Sequence, residues 1–243
     1  MSLPQDLIST LRSSSRTVVL TGSGISAESG VPTFREAQTG LWERFDPQEL
    51  ATPEAFERDP GLVWDWYAWR RKLVAQAAPN PGHLALAEMQ DLGQHFTLVT
   101  QNVDGLHQQA GSRDVIELHG NLRRTRCSVE DVEVEECEDS GSPPVCPSCG
   151  APLRPDVVWF GEMLPPGALD AASKAASDAD LFLSVGTSSL VYPAAELPYE
   201  ALESGATLVE INPGHTPLTP HADYALRGSA GNVLPRLIRE LSE

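Results

Sequence analysis

The chain has little lysine and no long hydrophobic run, and these two absences bear on the kinds of partner that the protein can bind. Lysine and arginine together number 17, and only Lys72 and Lys174 are lysines. Against them stand 34 acidic residues, which gives a net charge of −17. No basic stripe of the kind that binds nucleic acid is present, so we expect no nucleic-acid partner. No apolar run approaches the roughly 18 residues that a membrane span requires, so we expect no membrane partner.

Two further absences bear on the compartment and the kind of protein. Residues 1–7 lack the basic start and the long apolar stretch that predict a secretory signal. Only four cysteines occur, and structural disulfides are not expected in the cytosol. The length of 243 residues and the hydrophobic content of 41% suit a globular protein with a substantial core. We therefore expect a cytoplasmic enzyme.

Apolar, β-branched segments alternate with helical patterns along most of the chain. The predicted strands span 17–20, 96–100, 115–118, 181–185 and 207–211, and the predicted helices span 82–92, 167–179, 193–204 and 232–241. This alternation predicts an α/β fold with a doubly wound, parallel, Rossmann-like sheet.

Two segments interrupt the alternation. Residues 36–80 are rich in tryptophan and arginine and have helical patterns, and residues 122–155 contain all four cysteines. We expect these segments to form a small domain, helical with a zinc-ribbon-like cysteine module. The large Rossmann-like domain would then comprise residues 1–35, 81–121 and 156–243, with a cleft between the two domains.

A glycine-rich segment follows the first predicted strand. Gly22, Gly24 and Gly30 permit tight turns and a close approach of the backbone to a ligand. A polar, glycine-rich loop between a strand and a helix is typical of phosphate binding. Ala27 stands where the third glycine of the usual dinucleotide fingerprint would be. The segment therefore predicts a nucleotide site of a different design.

Polar clusters also follow four later predicted strands. They span residues 100–107, 117–121, 186–193 and 212–214. Ligands of open α/β sheets bind outside the carboxyl ends of the strands. Asparagine, aspartate and glycine are also common in ordinary turns, but four successive polar strand ends favour a ligand site.

These segments resemble the sirtuins, which are NAD-dependent protein-lysine deacylases, and most closely the class III bacterial sirtuins. The matching motifs lie at 22–35, 101–104, 119–121, 154–162, 186–188 and 212, in the order of the family, and the resemblance spans about 11–241. It implies that NAD is consumed as a co-substrate, that acylated lysine-containing proteins are the partners, and that nicotinamide and O-acyl-ADP-ribose are released. A protein mono-ADP-ribosyltransferase and a non-catalytic NAD-sensing module remain as alternatives.

The resemblance also implies roles for individual residues. His119 would be the general base, and Asn102 would orient the ribose and a water molecule. The implied NAD-binding residues are Gly22, Ser23, Gly24, Ile25, Ser26, Ala27, Glu28, Phe34, Arg35, Trp42, Gln101, Asn102, Val103, Asp104, Gly186, Thr187, Ser188, Asn212, Pro213, Gly214 and Ala230. The remaining histidines, His83 and His107 among them, are interpreted as structural.

Tyr67 and Arg70 are three residues apart in a predicted helix, so they share one face. An arginine can bind a carboxylate through two parallel hydrogen bonds, and the pair resembles the Tyr-x-x-Arg signature of sirtuins that remove succinyl and malonyl groups. The alternative is an amphipathic helix whose aromatic residues pack inward and whose arginines face water. The implied residues for the acyl group and an extended peptide are Ala51, Tyr67, Arg70, Val158, Phe160, Gly161, Glu162, Leu190, Val191 and Tyr192.

The cysteines allow more than one interpretation. Cys146 and Cys149 form a C-x-x-C pair, which is either redox-active or half of a zinc site. The resemblance implies a structural zinc held by two such pairs, but Glu130 stands where the partner of Cys127 should be. Cys137 is the other thiol, so we expect Cys127, Cys137, Cys146 and Cys149 to hold the zinc. A metal-free module and a redox role remain open.

Overall fold

The computed structural model of the chain describes residues 3–31, 46–92, 95–135 and 142–242. Its larger sheet has six strands in the order β3-β2-β1-β6-β7-β8, and every neighbouring pair is parallel. The strands are β1 (Arg16–Thr21), β2 (His95–Thr100), β3 (Ile116–Glu117), β6 (Leu181–Val185), β7 (Thr207–Ile211) and β8 (Tyr224–Leu226). This confirms the predicted Rossmann-like sheet.

Helices cover both faces of this sheet. On one face, α1 (Gln5–Ser13), α5 (Pro81–Gln90) and α9 (Ala230–Ser242) share a buried core with the strands. On the other face, α7 (Pro166–Ser177) and α8 (Leu197–Glu203) form a second core. The short helix α6 (Leu106–Gln109) follows β2. Strands covered on both faces read as continuous apolar runs, which is why they were recognisable in the sequence.

The interrupting segments form a separate cluster. It contains α2 (Pro47–Leu50), α3 (Pro53–Arg58), α4 (Pro60–Gln76) and an antiparallel pair, β4 (Gly120–Cys127) and β5 (Leu153–Val157). A core around Phe56, Trp66, Tyr67 and Trp159 joins these elements. The helix α4 is tied to β4 by Arg71, whose Nε donates to the Leu122 carbonyl at 2.6 Å.

Some elements depart from the sequence expectations. The helix expected over 193–204 begins as a 3-10 turn at Ala194–Glu196 and becomes α-helical only at Leu197. The helix α1 and the strand β8 were not expected at all. Both β4 and β5 cross the expected limits of the small domain, residues 122 and 155, because they pair along their lengths. The division into domains stays a prediction. Among the helices in the described ranges, none combines the length and the apolar character needed to cross a membrane.

Candidate active site

The loops after β1 and β6 touch each other through their backbones. Gly22 donates its N–H to the Val185 carbonyl at 3.0 Å, and Gly24 donates to the Gly186 carbonyl at 2.8 Å. A Cβ atom on Gly24 would lie 2.6 Å from that same carbonyl oxygen, so no larger residue fits. Gly186 has a φ of +61°, which also favours glycine. The glycine pattern therefore serves the contact between two loops at the carboxyl end of the sheet.

A buried polar network joins the first of these loops to the end of β2. Ser26 donates its hydroxyl to Oδ2 of Asp104 at 2.7 Å and accepts a hydrogen bond from Nδ2 of Asn102 at 3.1 Å. The Asn102 amide also donates to the Gly22 carbonyl at 3.1 Å. All three side chains are at least nine-tenths buried. Since each polar group has a partner, the network is rigid despite its burial.

The network continues toward the later strands. Gln101 donates its amide to the Thr187 hydroxyl at 3.0 Å, and Asn212 donates to the Thr187 carbonyl at 2.8 Å. Hydroxyl and amide groups that follow β1, β2, β6 and β7 thus line the edge of the sheet that is formed by the carboxyl ends of its strands. They are the donors and acceptors that ribose and phosphate groups require, so the edge fits a dinucleotide.

Glu28 lies at the same edge but engages the protein itself. Its carboxylate accepts a hydrogen bond from the Gly231 N–H at 2.7 Å and another from the Ser229 hydroxyl at 2.8 Å. The acidic group therefore caps the start of α9, where the helix dipole favours negative charge. Glu28 and Ala230 hold the glycine-rich loop against α9.

His119 precedes β4 and has a defined protonation pattern. Its Nδ1 lies 2.9 Å from the Gln101 carbonyl oxygen. A carbonyl only accepts, so Nδ1 carries the hydrogen and Nε2 presents a lone pair. Burial lowers the pKa of His119 below 6.5, and the hydrogen bond to Gln101 only partly opposes this. The imidazole is therefore neutral near pH 7, as a general base must be.

Two other histidines lie beside the network. His83 is fully buried, with Nε2 3.5 Å from the Ser26 hydroxyl and Nδ1 accepting the Asn80 N–H at 3.3 Å. His107 is buried against it, with ring centroids 4.9 Å apart, and its Nε2 lies 2.9 Å from the Thr21 hydroxyl. Burial lowers the pKa of His107 to about 3, so this ring stays neutral. His83, which was interpreted from the sequence as structural, therefore lies beside the polar network of Ser26, Asn102 and Asp104.

Tyr67 lies in the core of the small cluster, and Arg70 is half-buried beside it. Tyr67 is 2% exposed, and burial raises its pKa to about 12. Trp159 donates its indole N–H to the Tyr67 hydroxyl oxygen at 3.0 Å. Because an indole N–H only donates, Tyr67 keeps its own hydrogen for another acceptor.

Arg70 lies beside this phenol. Its guanidinium carbon is 5.7 Å from the centroid of the Tyr67 ring and 5.1 Å from that of Trp66. Burial lowers the pKa of Arg70, while Tyr67 and then Asp104 raise it, and an arginine stays charged in a protein in any case. The alternative, a helix whose aromatic residues pack inward, is met by Trp66 and Tyr67, while Arg70 lies against their rings and is half-buried.

The segment after β5 is held in a tight turn by a charged clamp. Arg154 donates through Nη1 and Nη2 to the two carboxylate oxygens of Glu162, at 2.6 and 2.9 Å. The Trp159 N–H also donates to Glu162, at 2.8 Å. At the start of the turn, Val158 donates its N–H to the His119 carbonyl at 3.0 Å, which places the turn next to His119.

Apolar side chains are exposed on this turn and on the loop after β6. Phe160 is 47% exposed, and its N–H donates to the Ala51 carbonyl at 2.9 Å. On the other loop, Leu190 and Tyr192 are 52% and 66% exposed, while Val191 is partly buried. Ser189 has a φ of +55°, a strained conformation of the kind often found at functional sites. The two loops offer apolar surface to a ligand at the rim of the cleft.

The remaining expected site residues have varied positions. Ile25 is buried in the core beneath the sheet, and Val103 packs against the core of the small cluster. Ser23, Ala27, Pro213 and Gly214 are exposed, and Ser188 is partly so. Four expected residues lie outside the described ranges, namely Phe34, Arg35, Trp42 and Cys137.

Three of the expected zinc ligands come together. Cys127, Cys146 and Cys149 form a cluster with Glu130, and the four ligand atoms all lie within 4.8 Å of one another. Cys127 ends β4, and Cys146 and Cys149 precede β5. Three thiols and a carboxylate at this separation fit a tetrahedral zinc ion, whose role would be structural. Glu130 was not expected among the ligands.

Residues missed by sequence reasoning share one property, which is that their role depends on contacts across the fold. Trp159 meets Tyr67 across 92 positions, and His83 meets Ser26 across 57. His83 has one local signal, the capping box that it forms with Asn80 at the start of α5. Trp159 lies between two residues that were expected to bind peptide.

The chain is similar to known proteins along most of its length. The family model of the Sir2 family matches residues 22–193. The "NAD-dependent protein deacylase 2" of Pyrobaculum aerophilum is 56% identical over 237 residues, covering 95% of this chain and 93% of that protein. A crystal structure of a Sir2 homologue in complex with NAD is 51% identical with a TM-score of 0.93, covering 99% of this chain and 94% of that chain.

A more distant solved structure contains peptide and product. It is a Sir2 protein with a deacetylated p53 peptide and 3′-O-acetyl ADP-ribose. It is 35% identical to this chain with a TM-score of 0.84, and the match covers 97% of each chain.

Proposed function

The chain belongs to the Sir2 family and is a sirtuin-type NAD-dependent protein deacylase, and we propose that it removes succinyl and malonyl groups, as well as acetyl groups, from lysine side chains of proteins. The products would be nicotinamide, the free lysine and O-acyl-ADP-ribose. One observation carries the acyl preference. It is the adjacent Tyr67 and Arg70 pair, in which Trp159 donates to the buried phenol oxygen and the half-buried guanidinium lies against the Tyr67 ring.

NAD would bind at the carboxyl edge of the large sheet. The glycine contact fixes the loops after β1 and β6 against each other, and the pyrophosphate would lie against the glycine-rich loop. Asn102 and Asp104, fixed by Ser26, would face the nicotinamide ribose. Thr187 and Asn212, which are hydrogen-bonded to each other, would face the adenosine ribose.

The reaction would need orientation first and then a base. The acyl carbonyl oxygen attacks the ribose carbon as nicotinamide leaves, and holding the two reactants together lowers this barrier. His119 then removes a proton from the ribose hydroxyls through Nε2, and the sugar oxygen attacks the acyl carbon. A water molecule next adds to that carbon, its C–N bond breaks, the lysine amine leaves with a proton, and the acyl group stays on the ribose. The Gln101 carbonyl, by holding Nδ1–H, keeps that lone pair on the reacting side.

The acyl pocket would recognise a terminal carboxylate. A guanidinium binds a carboxylate through two parallel charge-assisted hydrogen bonds, and the Tyr67 hydroxyl supplies a third donor. The raised pKa of Tyr67, about 12, keeps that hydroxyl protonated at any physiological pH. An acetyl group makes none of these bonds, but it is smaller and still fits. Ala51, which is buried in the same core, leaves the pocket wide.

The protein substrate would lie extended between the two loops that expose apolar side chains. The turn at residues 158–162 adjoins His119 through the Val158 N–H, so a lysine there would reach the base. Main-chain hydrogen bonds of this kind give affinity with little demand on sequence. We therefore expect many acylated proteins to be accepted.

The test compares acyl groups within one variant series. Arg70→Met should lower kcat/KM for a succinyl-lysine peptide about 100-fold, because two bonds to a charged group contribute about 3 kcal/mol together. Tyr67→Phe should lower the same constant about tenfold. Both variants should keep kcat/KM for the acetyl-lysine peptide within about threefold of the parent, since these bonds are absent there.

Lys72→Met is the matched control. It removes one positive charge from the same helix at an exposed position two residues away. Mass spectrometry of each peptide with and without NAD measures the product. Equal losses on both acyl groups in Arg70→Met, or a loss of the same size in Lys72→Met, would contradict the proposed acyl preference.

A further inference from the structure

The metal cluster of the small domain has a spacing that a tetrahedral zinc ion would produce. With Zn–S bonds of about 2.3 Å, two sulfur ligands of a tetrahedron lie about 3.8 Å apart. The Sγ atoms of Cys127 and Cys149 are 3.5 Å apart. Cys127 and Cys146 are almost fully buried, and Leu153 packs against both. Three thiols are therefore gathered around one point.

The Glu130 carboxylate occupies the fourth corner. Its Oε2 lies 3.7 Å from the Sγ of Cys146, close to the separation that two ligands of one zinc ion adopt. Its other oxygen, Oε1, accepts a hydrogen bond from the Ser148 hydroxyl at 3.2 Å. A ligating carboxylate is usually held in this way by an outer partner.

The local backbone brings residue 130 to that corner. The Glu130 N–H donates to the Sγ of Cys127 at 3.3 Å, so the chain turns back over the first cysteine. The turn has the same spacing as the second pair, since Glu130 follows Cys127 by three residues and Cys149 follows Cys146 by three. A glutamate thus stands at a geometrically equivalent position to a cysteine.

We propose that Glu130 is the fourth ligand of the structural zinc ion, in a set of three cysteines and one glutamate, and that Cys137 is not a ligand. Carboxylate oxygen binds zinc at about 2.0–2.2 Å, so the exchange is chemically sound. Three thiolates and a carboxylate carry the same total charge as four thiolates. The harder oxygen ligand should nevertheless make the site weaker than a four-cysteine site.

The ion would act on the fold and not on the reaction. It would join the end of β4 to the turn before β5. These two strands pair with each other, and β5 contains Arg154 and leads into the turn at residues 158–162. The β5 partners of Gly120 and Cys127 are Val157 and Leu153, four residues apart, so the two ends of β4 are separated by roughly 13 Å at about 3.3 Å per residue. The site is therefore remote from the reacting atoms.

The experiment counts ligands on the full chain. Zinc content is measured after purification without chelator, and the protein is then loaded with Co²⁺, whose sulfur-to-metal charge-transfer absorption grows with the number of thiolates. The parent should hold one equivalent of zinc and show a three-thiolate spectrum. Cys137→Ser should match the parent in zinc content, spectrum and melting temperature.

Substitutions at residue 130 should move these readouts in opposite directions. Glu130→Ala should lower the zinc affinity at least tenfold in competition with a chelator. Glu130→Cys should raise the affinity and add the absorption of a fourth thiolate, and it keeps the site filled if Glu130→Ala fails to fold. Loss of zinc in Cys137→Ser, an unchanged spectrum in Glu130→Cys, or a parent that binds no zinc when it is supplied would each overturn the proposal.

Discussion

Ser26→Ala tests whether the buried network beneath the NAD site works as one unit. The Ser26 hydroxyl is the only atom lost, and it serves both Asp104 at 2.7 Å and Asn102 at 3.1 Å. Ser26 itself is 1% exposed, so water does not replace the hydroxyl in the folded protein. The substitution therefore leaves a buried carboxylate oxygen and a buried amide each short of one partner.

The expected cost follows from these two bonds. A buried hydrogen bond to a charged group contributes about 1.5–3 kcal/mol, and one between neutral groups about 1 kcal/mol. Ser26→Ala should therefore lower the free energy of unfolding by about 2.5–4 kcal/mol. At about 2–4 °C per kcal/mol for a chain of this size, the melting temperature should fall roughly 5–15 °C. The value of kcat/KM for NAD should fall at least tenfold, since Asn102 and Asp104 lose their orientation.

Urea unfolding and steady-state kinetics measure these quantities. Ser23→Ala, at an exposed position in the same loop, is the control for the unfolding measurement and should stay within about 0.5 kcal/mol of the parent. A double-mutant cycle that combines Ser26→Ala with Asp104→Ala should give a coupling energy of about 1.5 kcal/mol or more. If Ser26→Ala and Ser23→Ala unfold alike, or if the two changes in the cycle are additive, the network does not act as described.

Two further predictions concern His119 and the turn at residues 158–162. With an acetyl-lysine peptide, which has no carboxylate of its own, kcat/KM should stay level as the pH falls through 6.5 and decline only below it. The reason is that burial lowers the pKa of His119 and the base must be unprotonated. A fall in kcat/KM with its midpoint above pH 6.5, in protein shown to be folded at that pH, would contradict this. Arg154→Lys should raise KM for the peptide about fivefold and leave KM for NAD unchanged, because it loses the two-pronged bond to Glu162, worth about 1 kcal/mol; an equal rise for NAD would place the effect elsewhere.

The sheet was predictable because its signals are local. Each buried strand is a short β-branched run, and each run ends in polar residues that a core strand would exclude. The strand Tyr224–Leu226 has only three residues at the sheet edge, too few for a periodic pattern. The helix Gln5–Ser13 contains several serine and threonine residues, which are poor helix formers, and it forms because Leu7, Ile8 and Leu11 pack against the core.

The sequence identified candidate residues for the site but not the contacts that join them. The Tyr67 and Arg70 pair could be read from helical spacing, whereas its partner Trp159 comes from a distant strand end. Glu130 was noted only as a missing cysteine, because spacing alone does not show that a carboxylate reaches the thiols. A pattern along the chain identifies chemical groups, and only the fold shows which groups share a hydrogen bond.

Two functional side chains have their polarity set by partners that can act in only one way. The Gln101 carbonyl only accepts, so His119 must turn a lone pair toward the cleft. The Trp159 indole only donates, so Tyr67 must keep a hydrogen to give. The imidazole is therefore set to take a proton before any substrate arrives, and under the proposed acyl preference the phenol is set to donate to an acyl carboxylate. Groups fixed in this way need no reorientation during the reaction, which is the source of most electrostatic catalysis.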